Sequence, residues 1–403
     1  MKKMRIGLIR EGKNPPDTRV ALTPKQCKEL LTEYRNLEIY IQPSKHRSIS
    51  SSEYIKYGVR VREEINNCDV LMGIKEIPSS QLTNNKTYIF FSHTIKMQTY
   101  NKELLKQILM KKVELIDYEC FTDENGDRLV GFGNWAGIVG AHNALWAWGR
   151  RHGSYTIERA LNLRNYREVF EQYENVKFPA IKIAVTGRGR VGGGVVEVME
   201  EAGIKKISVE DYINKEFDEA VYVQLGSAEL YKHKDTGAFD KEDFYANPQD
   251  YVNNFERFIP HTDMMIHATY WDQRTDKLFT KPRMLEDDFK MKVIADITCD
   301  VNGAVSSTVQ STSFNKPVYG YDPKNDIIVE AFKDEYIDIL AINDLPCELA
   351  RDASNSFGNE LMEHVMEPLL KNKEYSPLIE KARIAIDGEL TERYSYLQDF
   401  VNT

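Results

Sequence analysis

The fold of this chain is decided by residues 181–203, IKIAVTGRGRVGGGVVEVMEEAG. The opening run, IKIAV, is short, apolar and partly β-branched, the composition of a buried parallel strand. Glycines then follow at Gly187, Gly189, Gly192, Gly193 and Gly194. Beyond them Val195, Val198, Met199 and Ala202 recur at helical spacing, and Gly203 supplies a C-terminal stop. Strand, glycine turn and helix in that order give a Gly-x-Gly-x-x-Gly match its meaning as a dinucleotide site. Gly187 permits the tight turn, Gly189 lets the backbone approach a pyrophosphate, and Gly192 lets helix and strand pack closely. The phosphates are expected at the helix N-terminus, where unpaired N–H groups favour anions and Arg190 adds a cation. The plainer alternative is a glycine-rich turn that binds nothing.

At 403 residues the chain is too long for one ordinary core, and about two or three domains are expected. Hydrophobic residues at 42% and charged residues at 29% are those of a globular protein. A net charge of −9 argues against nucleic acid and anionic membranes as partners. No apolar run approaches the roughly 18 residues of a spanning helix. In MKKMRIGLIR the charge returns too soon for a signal peptide. The cysteines (Cys27, Cys68, Cys120, Cys299, Cys347) are odd in number and scattered, without a Cys-x-x-Cys pair. Neither a zinc site nor a disulfide framework is indicated, and a reducing, cytoplasmic setting is expected.

Strands are predicted at 4–9, 38–42, 70–74, 87–93 and 113–117, and helices from Thr23-Pro24 onward and over 102–110. Their alternation predicts a first α/β domain over 1–135. GNWAGIVGAHNALWAWGR, residues 133–150, reads as a closely packed helix, and 157–173 as a polar, helical connector. KISVED (206–211) is predicted as the second strand of the glycine-centred domain, ending in Glu210 and Asp211. An acid about 20 residues past the glycines takes the adenosine ribose hydroxyls, which favours NAD over NADP. Residues 212–258, rich in charge and tyrosine without a clean period, read as a surface insertion. Strands resume at 264–270, 292–298, 328–331 and 337–342, followed by a helix over 353–370 and an amphipathic stretch over 376–400.

Outside the glycines, the chemistry-bearing residues gather in the first domain. Lys75 follows one predicted strand, His93 another and Glu119 a third, so all three fall at strand ends that can face one crevice. Lysine changes pKa readily when buried and histidine titrates near neutrality, which suits an acid–base pair. A carboxylate such as Glu119 would hold the ammonium charged. Arg19, Lys96 and Arg128 add cations able to pair with substrate carboxylates. The alternative for these groups is a set of exposed loop residues. His142, within the Ala/Gly/Trp helix, reads as a packing residue.

Taken together, REGKNPPDTRVALTP (10–24), GIKEIP (73–78), FFSHTIKMQ (90–98), IDYECFTDENGDRLVGFGNWAG (116–137), GRGRVGGG (187–194), ADITCD (295–300) and INDLPCELARDAS (342–354) resemble the NAD-dependent, lysine-forming saccharopine dehydrogenases, relatives of alanine dehydrogenase and of the NAD-binding transhydrogenase subunit. The resemblance implies two Rossmann-like, doubly wound domains with the active site in a cleft between them. It implies a substrate domain of 1–135 completed by 350–403, and an NAD-binding domain over 136–349. It places Lys75 and His93 on the acid–base pair, Glu119 on the carboxylate that tunes the lysine, and Arg19, Lys96 and Arg128, with Lys13 nearby, on substrate carboxylates. Gly189, Arg190, Val191 and Gly192 fall on the pyrophosphate loop, and Asn343 falls near the nicotinamide, where the family carries an acid. The implied reaction oxidises saccharopine with NAD and water to lysine and 2-oxoglutarate. An alanine or other opine-like amino-acid dehydrogenase, or an NAD-binding protein without catalysis, are the alternatives.

Overall fold

A computed structural model describes residues 3–374 and 376–402. Met1, Lys2, Tyr375 and Thr403, which the expected domain spans include, lie outside the described residues. In chain order the strands are β1 (Met4–Leu8), β2 (Leu37–Ile41), β3 (Arg60–Val61), β4 (Val70–Met72), β5 (Thr87–Phe90) and β6 (Glu114–Asp117). Then come β7 (Lys182–Thr186), β8 (Lys205–Lys206), β9 (Val221–Leu225), β10 (Tyr231–His233), β11 (Tyr251–Asn253) and β12 (Met264–His267). The last are β13 (Val293–Asp296), β14 (Tyr319–Asp322), β15 (Ile327–Val329), β16 (Ile337–Leu340), β17 (Arg383–Ile386) and β18 (Glu389–Leu390).

The chain divides into two compact units, Met1–Phe132 with Ala350–Thr403, and Gly133–Leu349. In the first, the sheet order is β18-β17-β6-β5-β4-β1-β2-β3. Strands β1 to β6 are parallel, in the doubly wound order that reverses at β1. The inner strands β4, β5 and β6 are buried throughout, as helix-covered parallel strands require, while β3 lies at the edge with Arg60 exposed. The helix Pro24–Glu33 starts as its sequence predicts, with Thr23 and Gln26 forming a capping box and proline in the first turn. Gln26 also donates to the Asn355 carbonyl and to Asn359 Oδ1, both at 2.8 Å, tying this helix to the returning C-terminal segment.

That return differs from the single amphipathic stretch expected over 376–400. It contains a short helix, Pro377–Ala382, and the antiparallel pair β17–β18, with β17 completing the sheet beside β6. Asp387 and Gly388, both at positive φ, make the two-residue turn between them. An Asp-Gly turn between apolar runs is a hairpin signal. The helix expected over 353–370 is two helices, Ala350–His364 and Met366–Asn372.

The second unit has the order β15-β14-β16-β13-β12-β7-β9-β8. Strands β7, β8, β9, β12, β13 and β16 are parallel, and β14 and β15 add an antiparallel edge. Two expectations fail here. The strand predicted over 206–211 ends at Lys206; Ser208 instead caps the helix Val209–Asn214, its Oγ accepting from Asp211 N at 3.0 Å. Serine followed by acids in the first turn is a helix start. Nor is 212–258 a surface insertion. It contributes β9, which lies directly beside the glycine strand β7, and the hairpin β10–β11. Its aromatic residues are core: Tyr212, Phe255 and Phe258 are fully buried, and Phe244 stacks on Tyr231. Charged loops interrupt this core in sequence and hide its period. The connector 157–173 is α-helical only over Tyr166–Glu171, with a 3₁₀ turn at Ala160–Asn162.

A single helix, Gly133–His152, packs against the helix Arg190–Glu201 that follows the glycine turn. Their contact is made glycine to backbone. A Cβ on Gly194 would overlap the Asn134 carbonyl oxygen, and one on Gly137 the Val191 carbonyl oxygen.

Candidate functional site

Most chemistry-bearing residues of the first unit stand at or just after the carboxyl end of a parallel strand, where open α/β sheets place ligands. Glu11 follows β1, Lys75 and Glu76 follow β4, His93 follows β5, and Asp117 and Glu119 end or follow β6. Two carboxylates, the half-buried Glu11 and the buried Asp117, fix these turns. Glu11 accepts from Ile74 N at 2.7 Å and Lys75 N at 2.9 Å, locking the turn that carries Lys75. Burial, with Asp17 adding to it, pushes Glu11 up to about 7 despite those bonds. Asp117 accepts from Ser92 N at 2.9 Å and Glu119 N at 2.7 Å, clipping the ends of β5 and β6 together. Burial raises its pKa as well.

His93 takes a left-handed backbone conformation, φ +53°, at the start of a short 3₁₀ turn. Such a conformation is uncommon outside glycine and clusters at functional sites. Its Nδ1 lies 2.5 Å from Glu76 Oε1, and Lys13 Nζ lies 3.5 Å from Oε2. Burial opposes ionisation of Glu76, but the His93 bond and the charges of His93 and Lys13 hold it at about 2. An ionised Glu76 can only accept, so Nδ1 carries the hydrogen and Nε2 is left to exchange a proton.

Glu119 is paired with Lys96, at 3.2 Å, and with Arg128. Burial works against its charge, but Arg128, Lys96 and His93 hold its pKa below the usual range. One of its oxygens, Oε2, is buried without a hydrogen-bond partner. Arg19, expected to face a substrate, is buried in a two-pronged pair with Asp17, at 2.9 and 2.5 Å, and lies 4.2 Å over the Phe132 ring. Burial disfavours the Asp17 anion, yet Arg19 and the Lys75 charge hold it well below the usual carboxylate range. Tyr100 lies within electrostatic reach of Lys75, Glu76 and Glu119. The structure thus brings Lys13, Lys75, His93, Lys96, Glu119 and Arg128 into one network, with Arg19 anchored beside it. Sequence reasoning missed Glu11, Asp17, Glu76 and Asp117. Glu11, Glu76 and Asp117 stand at or just after strand ends, and Asp17 two residues before Arg19; those positions were the available signal.

In the second unit Gly187 ends β7 at φ +103°, and a Cβ there would lie 2.6 Å from the Ala268 carbonyl oxygen. Gly192 meets the Gly187 carbonyl so closely that a side chain would overlap it. Gly189 is different. It caps the helix Arg190–Glu201 with φ −85°, open to any residue, and a Cβ there meets nothing within 4 Å. Conformation and packing demand the first two glycines; at Gly189 the open cradle at a helix N-terminus is what fits a pyrophosphate. Arg190 and Val191 form the first turn. Glu210 and Asp211 stand in a helix beyond the outermost strand β8, which β9 separates from β7. Asn343 is exposed just past β16, its N–H 3.5 Å from the Thr312 carbonyl, and Asp344 follows at φ +58°. His142 is buried, with Nδ1 2.6 Å from the Tyr173 hydroxyl and Nε2 2.7 Å from the Glu158 carbonyl; burial lowers it to about 4, and it is a packing group. Among the described residues no helix is long and apolar enough to cross a membrane.

The chain thus has two doubly wound units, one with a strand-end cluster of titratable residues and one with a glycine turn. Residues 7–139 match the model of the alanine dehydrogenase/PNT N-terminal domain. The chain is 30% identical over 440 residues to the alpha-aminoadipic semialdehyde synthase of Rattus norvegicus, covering 98% of this chain and 47% of that protein. It therefore spans about half the length of that relative. It is 24% identical to the saccharopine dehydrogenase [NAD(+), L-lysine-forming] of Neurospora crassa, covering 92% of this chain and 93% of the relative. A solved L-alanine dehydrogenase superposes with a TM-score of 0.65 at 16% identity, over 99% of both chains. The resemblance drawn from the motifs is borne out: family model, relatives and solved fold all fall within the alanine dehydrogenase and saccharopine dehydrogenase family.

Proposed function

We propose that this protein is an amino-acid dehydrogenase of saccharopine dehydrogenase type, oxidising saccharopine with NAD and water to lysine and 2-oxoglutarate. The observation that carries this reading is the charge balance of the strand-end cluster. Lys13, Arg19, Lys96 and Arg128 meet Asp17, Glu76 and Glu119, whose carboxylates are held below the usual range, while burial raises Glu11 and Asp117. The surplus is positive, and Lys13, Lys96 and Arg128 keep about half of their side chains exposed. A substrate with three carboxylates suits such a surface better than a small amino acid with one.

When bound, the nicotinamide supplies a hydride acceptor for the C–H beside the secondary amine. The chain's own residues handle the protons. Lys75 takes the proton of the secondary amine, so that its nitrogen can become an imine as the hydride leaves. His93, through Nε2, takes a proton from the water that adds to the imine carbon. It then returns that proton to the nitrogen and takes the hydroxyl proton, so that the C–N bond of the carbinolamine breaks to leave the ketone of 2-oxoglutarate and the amine of lysine. Glu76 keeps the ring oriented, and Glu119 keeps Lys96 and Arg128 gathered for the substrate carboxylates. Lys75→Met and His93→Gln should each lower turnover by about 10²- to 10⁴-fold while leaving NADH binding intact.

The test is a spectrophotometric assay of purified protein with saccharopine and NAD, and in reverse with lysine, 2-oxoglutarate and NADH. Alanine and other amino acids run in parallel. Turnover confined to alanine, or none with saccharopine in either direction, would overturn the substrate assignment.

A further inference from the structure

We propose that Asp117, Ser92 and Thr94 form a buried bridge that holds His93 in its left-handed conformation and fixes its place relative to Glu119. This rests on the reading of His93 as the group that exchanges protons with the substrate. His93 stands at φ +53° and ψ +14°, and a residue with a side chain stays there only when its surroundings over-determine it. Its neighbours on both sides are tied to one carboxylate. Asp117 Oδ2 accepts from Ser92 N at 2.9 Å and also from the Ser92 hydroxyl. That hydroxyl has a single hydrogen, given to Asp117, so towards Thr94 its oxygen can only accept. It does so from Thr94 N at 3.2 Å and from the Thr94 hydroxyl at 2.8 Å. The His93 carbonyl accepts in turn from Lys96 N at 3.1 Å and from Asn101 Nδ2 at 3.3 Å.

The other oxygen of Asp117 reaches the second turn, where Oδ1 accepts from Glu119 N at 2.7 Å. One side chain thus joins the turn that carries His93 to the turn that carries Glu119, the partner of Lys96 and Arg128. Ser92, Thr94, Asn101 and Asp117 are all buried. Burying polar groups is costly unless each is satisfied, and apolar packing would serve stability as well. What this network delivers is the position of a ring. Glu76, at 2.5 Å, orients Nδ1, but the backbone at residue 93 decides where the ring begins and so where Nε2 ends. A reacting group misplaced by about 1 Å costs up to about 10²-fold in rate. Asp117, Ser92 and Thr94 are therefore positioning residues, which act through His93 and Glu119.

Steady-state kinetics and proton NMR test the bridge, the second without turnover. Thr94→Val removes the hydroxyl and keeps the shape of the side chain. It should lower kcat with saccharopine and NAD about tenfold or more and leave KM for saccharopine unchanged, because Glu119 still gathers Lys96 and Arg128. Thr94→Ser returns the hydroxyl and should recover the rate. Asp117→Asn sets an amide N–H against one of the donors and loosens both turns, so kcat should fall and KM rise together. In the NMR spectrum the Nδ1 hydrogen shared with Glu76 resonates far downfield, and its loss in His93→Gln identifies it. The signal should weaken or vanish in Thr94→Val and Asp117→Asn and persist in Thr94→Ser. Wild-type kcat and an intact signal in Thr94→Val overturn the bridge, even where its thermal midpoint has dropped. So does a loss of rate that Thr94→Ser fails to recover. Signals that change as expected, in a protein that turns over neither saccharopine nor alanine, would support the bridge and overturn instead the reaction proposed above.

Discussion

Two neighbouring glycines in the helix Arg190–Glu201 should respond in opposite directions to the same added methyl group. At Gly194 an ideal Cβ overlaps the Asn134 carbonyl oxygen and lies 2.9 Å from Ile138 N and 3.0 Å from the Asn134 carbonyl carbon. All three neighbours are backbone of the helix Gly133–His152, so no side chain can swing aside. Normal contact is restored only if the two helices separate by roughly an ångström. Overpacking of this kind costs about 1–3 kcal/mol or more, and a backbone-on-backbone clash belongs at the upper end. At Gly193 the nearest atom to a Cβ is Asn134 Oδ1 at 3.8 Å, an ordinary contact. There alanine removes the helix-interior penalty of glycine and gains about 0.5–1 kcal/mol. Urea unfolding of the variants should therefore place Gly194→Ala about 3 kcal/mol or more below Gly193→Ala. In a domain of this size that is a gap of about 6–12 °C in thermal midpoint. Midpoints that agree within about 1 kcal/mol would refute the helix contact described here.

Gly189→Ala should change stability by less than about 1 kcal/mol, as only a helix cap is altered, but weaken NADH binding; an unaltered dissociation constant would remove the pyrophosphate from this cradle. Glu76, held at about 2 against an ordinary 4.5, contributes about 3 kcal/mol of stability. Its folded value is depressed, so the contribution is whole above pH 4.5 and fades as pH falls towards 2. The stability gap between wild type and Glu76→Gln should accordingly narrow on acidification, and a gap that is flat with pH would contradict the ion-pair reading. Glu348→Ala strands Arg159, its buried partner, and leaves Asn143 Nδ2 and Leu161 N without their acceptor. A loss of about 3–5 kcal/mol is expected, and a calorimetric melt measures it.

The fold was legible wherever one element was decided by its own residues. The glycine turn, the capped helix at Thr23 and the apolar parallel strands β1, β4, β5 and β12 stand where local sequence predicts them. It was illegible where partners far along the chain decided. Val221, Val223 and Leu225 become a central strand because β7 and β8 flank them, and the surrounding aromatics find each other only in three dimensions. At the site, Lys75, His93 and Glu119 could be found by their position after strands. Their partners could not be paired off in advance. Nothing in the sequence says that Glu76 takes His93, that Asp17 occupies Arg19, or that Glu119 gathers Lys96 and Arg128, because those choices depend on how neighbouring strand ends face one another.

The strand β17 joins β6 from the far end of the chain, and Glu114 on β6 is held there by Lys373 at 2.6 Å and Arg383 at 2.8 Å. During synthesis, β1 to β6 emerge first, yet the flank of β6 stays bare until Arg383 has been made. An uncovered strand edge invites pairing with other chains, and domains of growing polypeptides otherwise tend to fold as they appear. The glycine-centred unit, continuous in sequence, can fold in the interval. The half that carries Lys75 and His93 must wait for β17, so the two units reach their complete sheets at different times.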